Sequence, residues 1–132
     1  EQVRAMRLPR PLHGIHASDI RGDYVDVARK GALRARVEKH ITFSVSPFQE
    51  VRPPARTGLL VANLPYGERI GRGGVPALVN DMAAFLRGPF RAWRSALLLP
   101  AEVPRAPLMF PGTRVVPLKN GALDVVLLLG TP

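Results

Sequence analysis

The sequence predicts an α/β fold, a mostly parallel sheet that finishes in an antiparallel hairpin. Three observations carry this reading. Strand-like apolar runs and helical patterns follow one another in the order β-α-β-β-α-β-β-β. The run Gly58-Leu59-Leu60-Val61-Ala62-Asn63 is continuously apolar before its polar end, the pattern of a buried parallel strand. Near the C-terminus, Asn120-Gly121 separates two apolar runs, the strongest short-range hairpin signal.

Each element has its own justification. Residues 1–14 hold Arg4, Arg7, Arg10, Pro9 and Pro11 without a secretory apolar core, which predicts a linker or the remnant of an upstream region. One partial domain is expected over 15–132. Ile15 to Ile20 reads as a short strand with an acid, Asp19, at its end. Arg21-Gly22 turns the chain, and Asp23 and Asp26 suit the positive end of a helix. Tyr24, Ala28, Ala32 and Ala35 recur at helical spacing, which predicts a helix. Ile41 to Ser46 alternates as a strand, and Arg52-Pro53-Pro54-Ala55-Arg56 is a surface turn.

Gly67 to Gly74 is rich in glycine and charge and predicts a loop. Pro76 fits the first turn of a helix whose buried face is Val75, Leu78 or Val79, Met82 and Leu86, and Gly88-Pro89 stops it. Trp93 to Leu99 is a second buried strand, with core packing the default role for Trp93. Four prolines between Pro100 and Gly112 make that stretch a loop, and Arg114 to Leu118 and Ala122 to Leu129 are the hairpin strands.

Composition narrows the function classes. The 132 residues suffice for one ordinary domain, and at 46% hydrophobic and 22% charged they can build a packed core. No apolar run reaches the roughly 18 residues of a membrane helix, and without cysteine there is no disulfide framework, thiolate metal site or cysteine nucleophile. Nineteen Lys and Arg against ten Asp and Glu give a net charge of +9, favouring an anionic partner. Sixteen of the cations are Arg, which suits bidentate contacts to RNA phosphates and equally fits a coding bias toward Arg, Ala, Pro and Gly.

In open α/β sheets, ligands gather beyond the carboxyl ends of the strands. Asp19 and Asn63 stand at two such ends. An acid there can accept hydrogen bonds from both ribose hydroxyls, or merely cap the turn that follows. Asn63 opens Asn63-Leu64-Pro65-Tyr66, continued by Gly67-Glu68-Arg69. A carboxamide oxygen and a nearby main-chain carbonyl can grip a planar exocyclic amine and free its lone pair to attack an electrophilic methyl group. Pro65 stiffens the turn and Tyr66 offers a stacking face for a flipped base. Asn, Pro and Tyr are also common turn residues, so the tetrapeptide gains its weight from standing at a strand end.

Asn63 to Arg69 resembles the Asn-Pro-Pro-Tyr-Gly-Glu-Arg signature of class I S-adenosylmethionine-dependent RNA methyltransferases, in the THUMP-associated branch that methylates guanine N2 of 23S ribosomal RNA. The resemblance extends over Ile15 to Leu129 through Ala17-Ser18-Asp19-Ile20, Ala28-Arg29-Lys30-Gly31-Ala32 and Lys119-Asn120-Gly121-Ala122-Leu123. It implies a Rossmann-like methyltransferase sheet in a cytoplasmic enzyme, with a THUMP-type domain upstream in the parent protein. It further implies that Asp19 and Ile20, with Phe48, bind the methyl donor, that Asn63, Leu64, Pro65 and Tyr66 hold the target base, and that Arg69 and Arg72 reach RNA phosphates. No metal or membrane is implied.

Three departures qualify it. Leu64 replaces a first proline, a form shared with ribosomal RNA adenine dimethyltransferases, which keeps adenine N6 of rRNA or DNA as an alternative target, although Gly67-Glu68-Arg69 points to guanine. Pro47 stands where an acid would contact the donor's adenine, and Gly31 replaces an asparagine. The family's first strand and glycine loop have no counterpart before Asp19. That strand would lie between those ending in Asp19 and Asn63, so the chain is expected to be a C-terminal part of the domain that binds the donor weakly alone. A non-catalytic RNA-binding remnant is the alternative from another class. His13, His16 and His40 lack ligand companions, Gly71 to Gly74 lacks a P-loop lysine and reads as a loop that closes over substrate, and no Ser-His-Asp arrangement can be built.

Overall fold

Ile15–Asp19 (β1) and Ile41–Val45 (β2) pair in parallel, in the register Ile15 to Ile41 and Asp19 to Val45. The structure, a computed structural model, describes residue 11 and residues 13–64 and 74–132. The chain forms two compact units, residues 1–51 and 52–132. The reading of residues 1–10 as a linker, the loop between Gly67 and Gly73, and the assignments of Pro65, Tyr66, Arg69 and Arg72 lie outside the described residues.

In the first unit, Gly22–Arg34 (α1) is the crossover that parallel strands require, and it packs against both of them. Arg29 lies over the Phe43 ring at 5.5 Å, covering β2 with its guanidinium. The helix ends through Arg36, at φ 58, with Arg36 N–H donating to Leu33 O and Val37 N–H to Ala32 O. These are the two bonds of a Schellman stop, made here without glycine. Val25 and Ala32 are buried, while Ala28 and Ala35 are exposed. With seven apolar or small residues crowded between Tyr24 and Leu33, more than one helical stripe satisfies the spacing, so periodicity does not choose between them.

The second unit is a four-stranded sheet in the order β3-β4-β6-β5, where β3 is Leu59–Asn63, β4 Arg94–Pro100, β5 Arg114–Asn120 and β6 Leu123–Gly130. β3 and β4 are parallel and joined through Gly74–Arg87 (α2); β6 runs antiparallel to both β4 and β5. The mostly parallel sheet with its closing antiparallel hairpin is therefore present. The hairpin turn is Gly121-Ala122, one residue later than expected, with Gly121 at φ 61 supplying the positive φ that such a two-residue turn needs.

The core of this unit is α2's Val79, Met82, Ala83, Phe85 and Leu86 together with Leu97, Leu99, Val126 and Leu128 of the sheet. Phe85, Phe90 and Trp93 stack in sequence, with centroids 4.6 and 5.1 Å apart. Trp93 Nε1–H donates to Ala55 O at 3.1 Å, which ties the segment before β3 to the core. Trp93 is buried just before β4 rather than within it.

β3 corrects the expectation of a buried strand. It is parallel, but it is the edge of its sheet, and Leu59 and Val61 are 52% and 71% exposed. A continuous apolar run records what a strand is suited to contact, and edge position is a matter of topology that the run itself does not encode.

Candidate active site

The carboxyl ends of β1 and β2 are joined by Ser46 N–H donating to Asp19 O at 2.9 Å. Asp19 and Ile20 therefore share one end of the first unit's sheet with Ser46, Pro47 and Phe48. Asp19 is half-buried and Ile20 is 68% exposed. Asp19 Oδ1 accepts the Arg21 backbone N–H at 2.8 Å, so one carboxylate oxygen holds the turn into α1. Its Oδ2 makes no hydrogen bond among the described residues.

Arg21, which the sequence reading treated only as a turn residue, is the charged neighbour of this acid. Its guanidinium forks onto Asp23 at 2.6 and 3.0 Å and lies over Tyr24 at 4.4 Å. The hydrogen bond to Arg21 holds the Asp23 carboxyl below the usual carboxylate range and raises Arg21 in return. Both groups are on the surface, so the pair directs Arg21 toward Asp23 more than it stabilises the fold. Asp19 thereby keeps an oxygen without a guanidinium partner among the described residues. An Asp two positions after an Arg was the available signal for this arrangement.

Pro47 begins a single turn of 3-10 helix, Phe48–Glu50, in extended geometry at φ −61 and ψ 144. Its carbonyl accepts from Ser46 Oγ at 3.1 Å and from Glu50 N–H at 3.0 Å. Two lone pairs are thus committed, and the position offers no further acceptor. Phe48 beside it is half-buried.

In the second unit, Asn63 is the last residue of β3, opposite Leu98 of β4. It is exposed, and its amide makes no hydrogen bond among the described residues. Leu64 follows with its side chain 4% exposed and its N–H donating to Leu98 O at 3.0 Å. The ladder thus continues one residue past Asn63 and fixes the strand tip. Any grip by Leu64 falls to its main chain, because its side chain is in the core. The expected site residues form two groups, Asp19, Ile20 and Phe48 in one unit and Asn63 and Leu64 in the other.

Among the described residues no three His, Cys, Asp or Glu come together to hold a metal ion, and no helix is long and apolar enough to cross a membrane.

Parallel α/β pairing closed by an antiparallel hairpin is the architecture of class I methyltransferases. SMU.472, a methyltransferase structure complexed with SAH, superposes with a TM-score of 0.76 at 26% identity, over 89% of this chain and 31% of its own. The model of the RMKL-like methyltransferase domain family, UPF0020, matches residues 2–126, and the chain belongs to that family. Ribosomal RNA large subunit methyltransferase K/L of Psychromonas ingrahamii is 35% identical over 85 residues, 62% of this chain and 11% of that protein. Its counterpart from Shewanella woodyi is 33% identical over 119 residues, 88% of this chain and 16% of that protein. The chain thus spans less than a fifth of these curated relatives.

Proposed function

We propose that this chain is the C-terminal part of the catalytic domain of an S-adenosylmethionine-dependent RNA methyltransferase. Its target is the exocyclic amine of a purine, guanine N2 of 23S ribosomal RNA. The observation that carries the reading is Asn63: a carboxamide with no hydrogen bond among the described residues, held at the tip of a parallel strand and opening a motif that resembles the base-gripping signature of such enzymes. The two ribosomal RNA methyltransferases among its relatives support the substrate class.

S-adenosylmethionine, when bound, supplies the electrophilic methyl group. The residues present fit it in part. Asp19 has Oδ2 for ribose hydroxyls, and exposed Ile20 with Phe48 gives apolar contact at the same strand end. Pro47 gives the adenine amino group no acceptor, since its carbonyl is already used twice. In this reading the two units, over 15–132, belong to one domain, and the donor binds weakly to this chain alone. Asn63 accepts from the target amine with Leu64's main chain, Tyr66 stacks on the base, Pro65 stiffens the turn, and Arg69 and Arg72 contact phosphates. The parent protein works in the cytoplasm and carries a THUMP-type domain upstream.

The committed Pro47 carbonyl also favours a second reading, a non-catalytic RNA-binding remnant. Calorimetry with S-adenosylmethionine, on this chain and on the parent polypeptide, separates the two: saturable binding by the parent is expected, and none by either leaves the remnant. Nucleoside mass spectrometry of rRNA treated with the parent then identifies the base. N2-methylguanosine is expected, and N6-methyladenosine would instead follow the Asn63-Leu64-Pro65-Tyr66 likeness to adenine dimethyltransferases.

A further inference from the structure

Charge in the first unit is sorted by end. Over residues 13–51, Asp19 and Glu50 lie at or just past the carboxyl ends of β1 and β2, and Asp23 and Asp26 lie in the early part of α1, which starts there. Because α1 runs back along the parallel strands, its second half and the 3-10 turn Glu38–His40 lie at the opposite end. That end carries Arg29, Lys30, Arg34, Arg36 and Lys39. Arg29 is engaged over Phe43 and lies 3.9 Å from Asp26. Lys30, Arg34 and Lys39 are exposed and make no ion pair among the described residues. Lys30 and Arg34 are one turn apart, on the side of α1 away from buried Val25 and Ala32. Glu38, the acid at this end, is half-buried, and its Oε2 is buried without a hydrogen bond among the described residues.

Helix stability does not account for this pole. Cations suit the negative end of a helix, but the benefit fades outside the last turn, where Arg34 is the basic residue. Arg36 is the sharper case. It stops α1 at φ 58, a left-handed conformation that glycine adopts freely and a larger side chain raises in energy. The arginine therefore stands at this end against a backbone preference. We infer that Lys30, Arg34, Arg36 and Lys39 form a second RNA-binding surface, which engages phosphates of the substrate RNA at the end of the first unit away from Asp19 and Phe48. The inference rests on the proposed RNA substrate. Four cations spread over residues 30–39 suit a repeating anion, whereas a single small anion needs donors that converge on it. Arg offers bidentate phosphate contacts and Lys a point charge, neither of which reads sequence.

Fluorescence anisotropy with a mixed-sequence RNA duplex, titrated against salt, tests the surface on this chain and on the full natural polypeptide. Lys30→Gln, Arg34→Gln and Lys39→Gln combined are expected to lower affinity about tenfold or more and to flatten the slope of log affinity against log salt by roughly 2. Arg56→Gln, Arg91→Gln and Arg114→Gln remove the same net charge from exposed positions of the second unit, and should flatten it by less than about 0.5. Arg36→Gly should weaken RNA binding while raising the melting temperature, a combination that a purely structural arginine would not give. Equal losses from the two triple variants would reduce the effect to net charge and overturn the inference. An unaltered slope overturns it too, as does a set of three residues needed for binding to phosphatidylglycerol vesicles and not for binding to RNA. No readout depends on methyl transfer, and Asn63→Ala leaves every one of these cations in place, so failure here is distinguishable from failure of the proposed reaction.

Discussion

Asn63 and Leu64 are neighbours in sequence and opposites in burial, and their substitutions should separate accordingly. Leu64→Ala deletes a side chain that is 4% exposed and is expected to lower stability by about 2–5 kcal/mol in urea unfolding. Asn63→Ala removes an exposed amide without a partner among the described residues and should stay within about 0.5 kcal/mol. A comparable stability loss from both would place Asn63 in the core instead of at a site. At Asp19, the bond from Arg21 N–H predicts that Asp19→Ala costs about 0.5–1.5 kcal/mol and that Asp19→Asn, which keeps an acceptor, recovers most of it. Donor affinity of the parent polypeptide should fall for both, since neither keeps a carboxylate for the ribose. The strand-end positions of Asp19 and Asn63 were legible in the sequence, the first from the Arg21-Gly22 turn that follows it and the second because it closes an apolar run. The commitments of the Pro47 carbonyl and of Asp19 Oδ1 were not, because they depend on loop dihedrals that residue identity leaves open.

Element by element, the sequence located the strands and helices through period and punctuation, and it missed what depends on neighbours. Gly88-Pro89 does follow the last residue of α2, and Gly121 does turn the hairpin. The exposure of β3 went the other way, since it is decided by what packs against the element. Gly58, expected only to begin a strand, has a packing reason of its own. A Cβ there would sit 2.6 Å from the Trp93 ring, and Gly58 O accepts the Arg94 N–H at 3.0 Å, so neither backbone nor ring can yield easily. Gly58→Ala should therefore overpack this region and cost about 1–3 kcal/mol. Trp93 is the single tryptophan, so its fluorescence emission reports the site directly. A shifted emission with a lowered melting temperature is expected; unchanged emission and stability would mean that the ring swings aside at no cost.

At the scale of the whole molecule, the order of elements and the mixed sheet were readable from patterning, whereas the division at residue 51 was not, because Arg52-Pro53-Pro54-Ala55-Arg56 beside it reads equally as an ordinary surface turn. The charge of +9 belongs to this scale as well. RNA binding by the parent polypeptide should weaken linearly in log affinity against log salt, and replacing Arg69 and Arg72 by Ala should flatten that slope by about 0.7–0.9 for each phosphate no longer neutralised. An unaltered slope would remove these two residues from the interface. The central claim is narrower: the Asn63 carboxamide positions a purine amine for methylation. Methyl transfer from labelled S-adenosylmethionine to ribosomal RNA, measured for the parent polypeptide with and without Asn63→Ala, tests it most directly. A loss of turnover of about a hundredfold or more, with RNA affinity kept within about twofold, is the predicted result. An intact rate, or a rate loss no larger than the loss of RNA affinity, would contradict it.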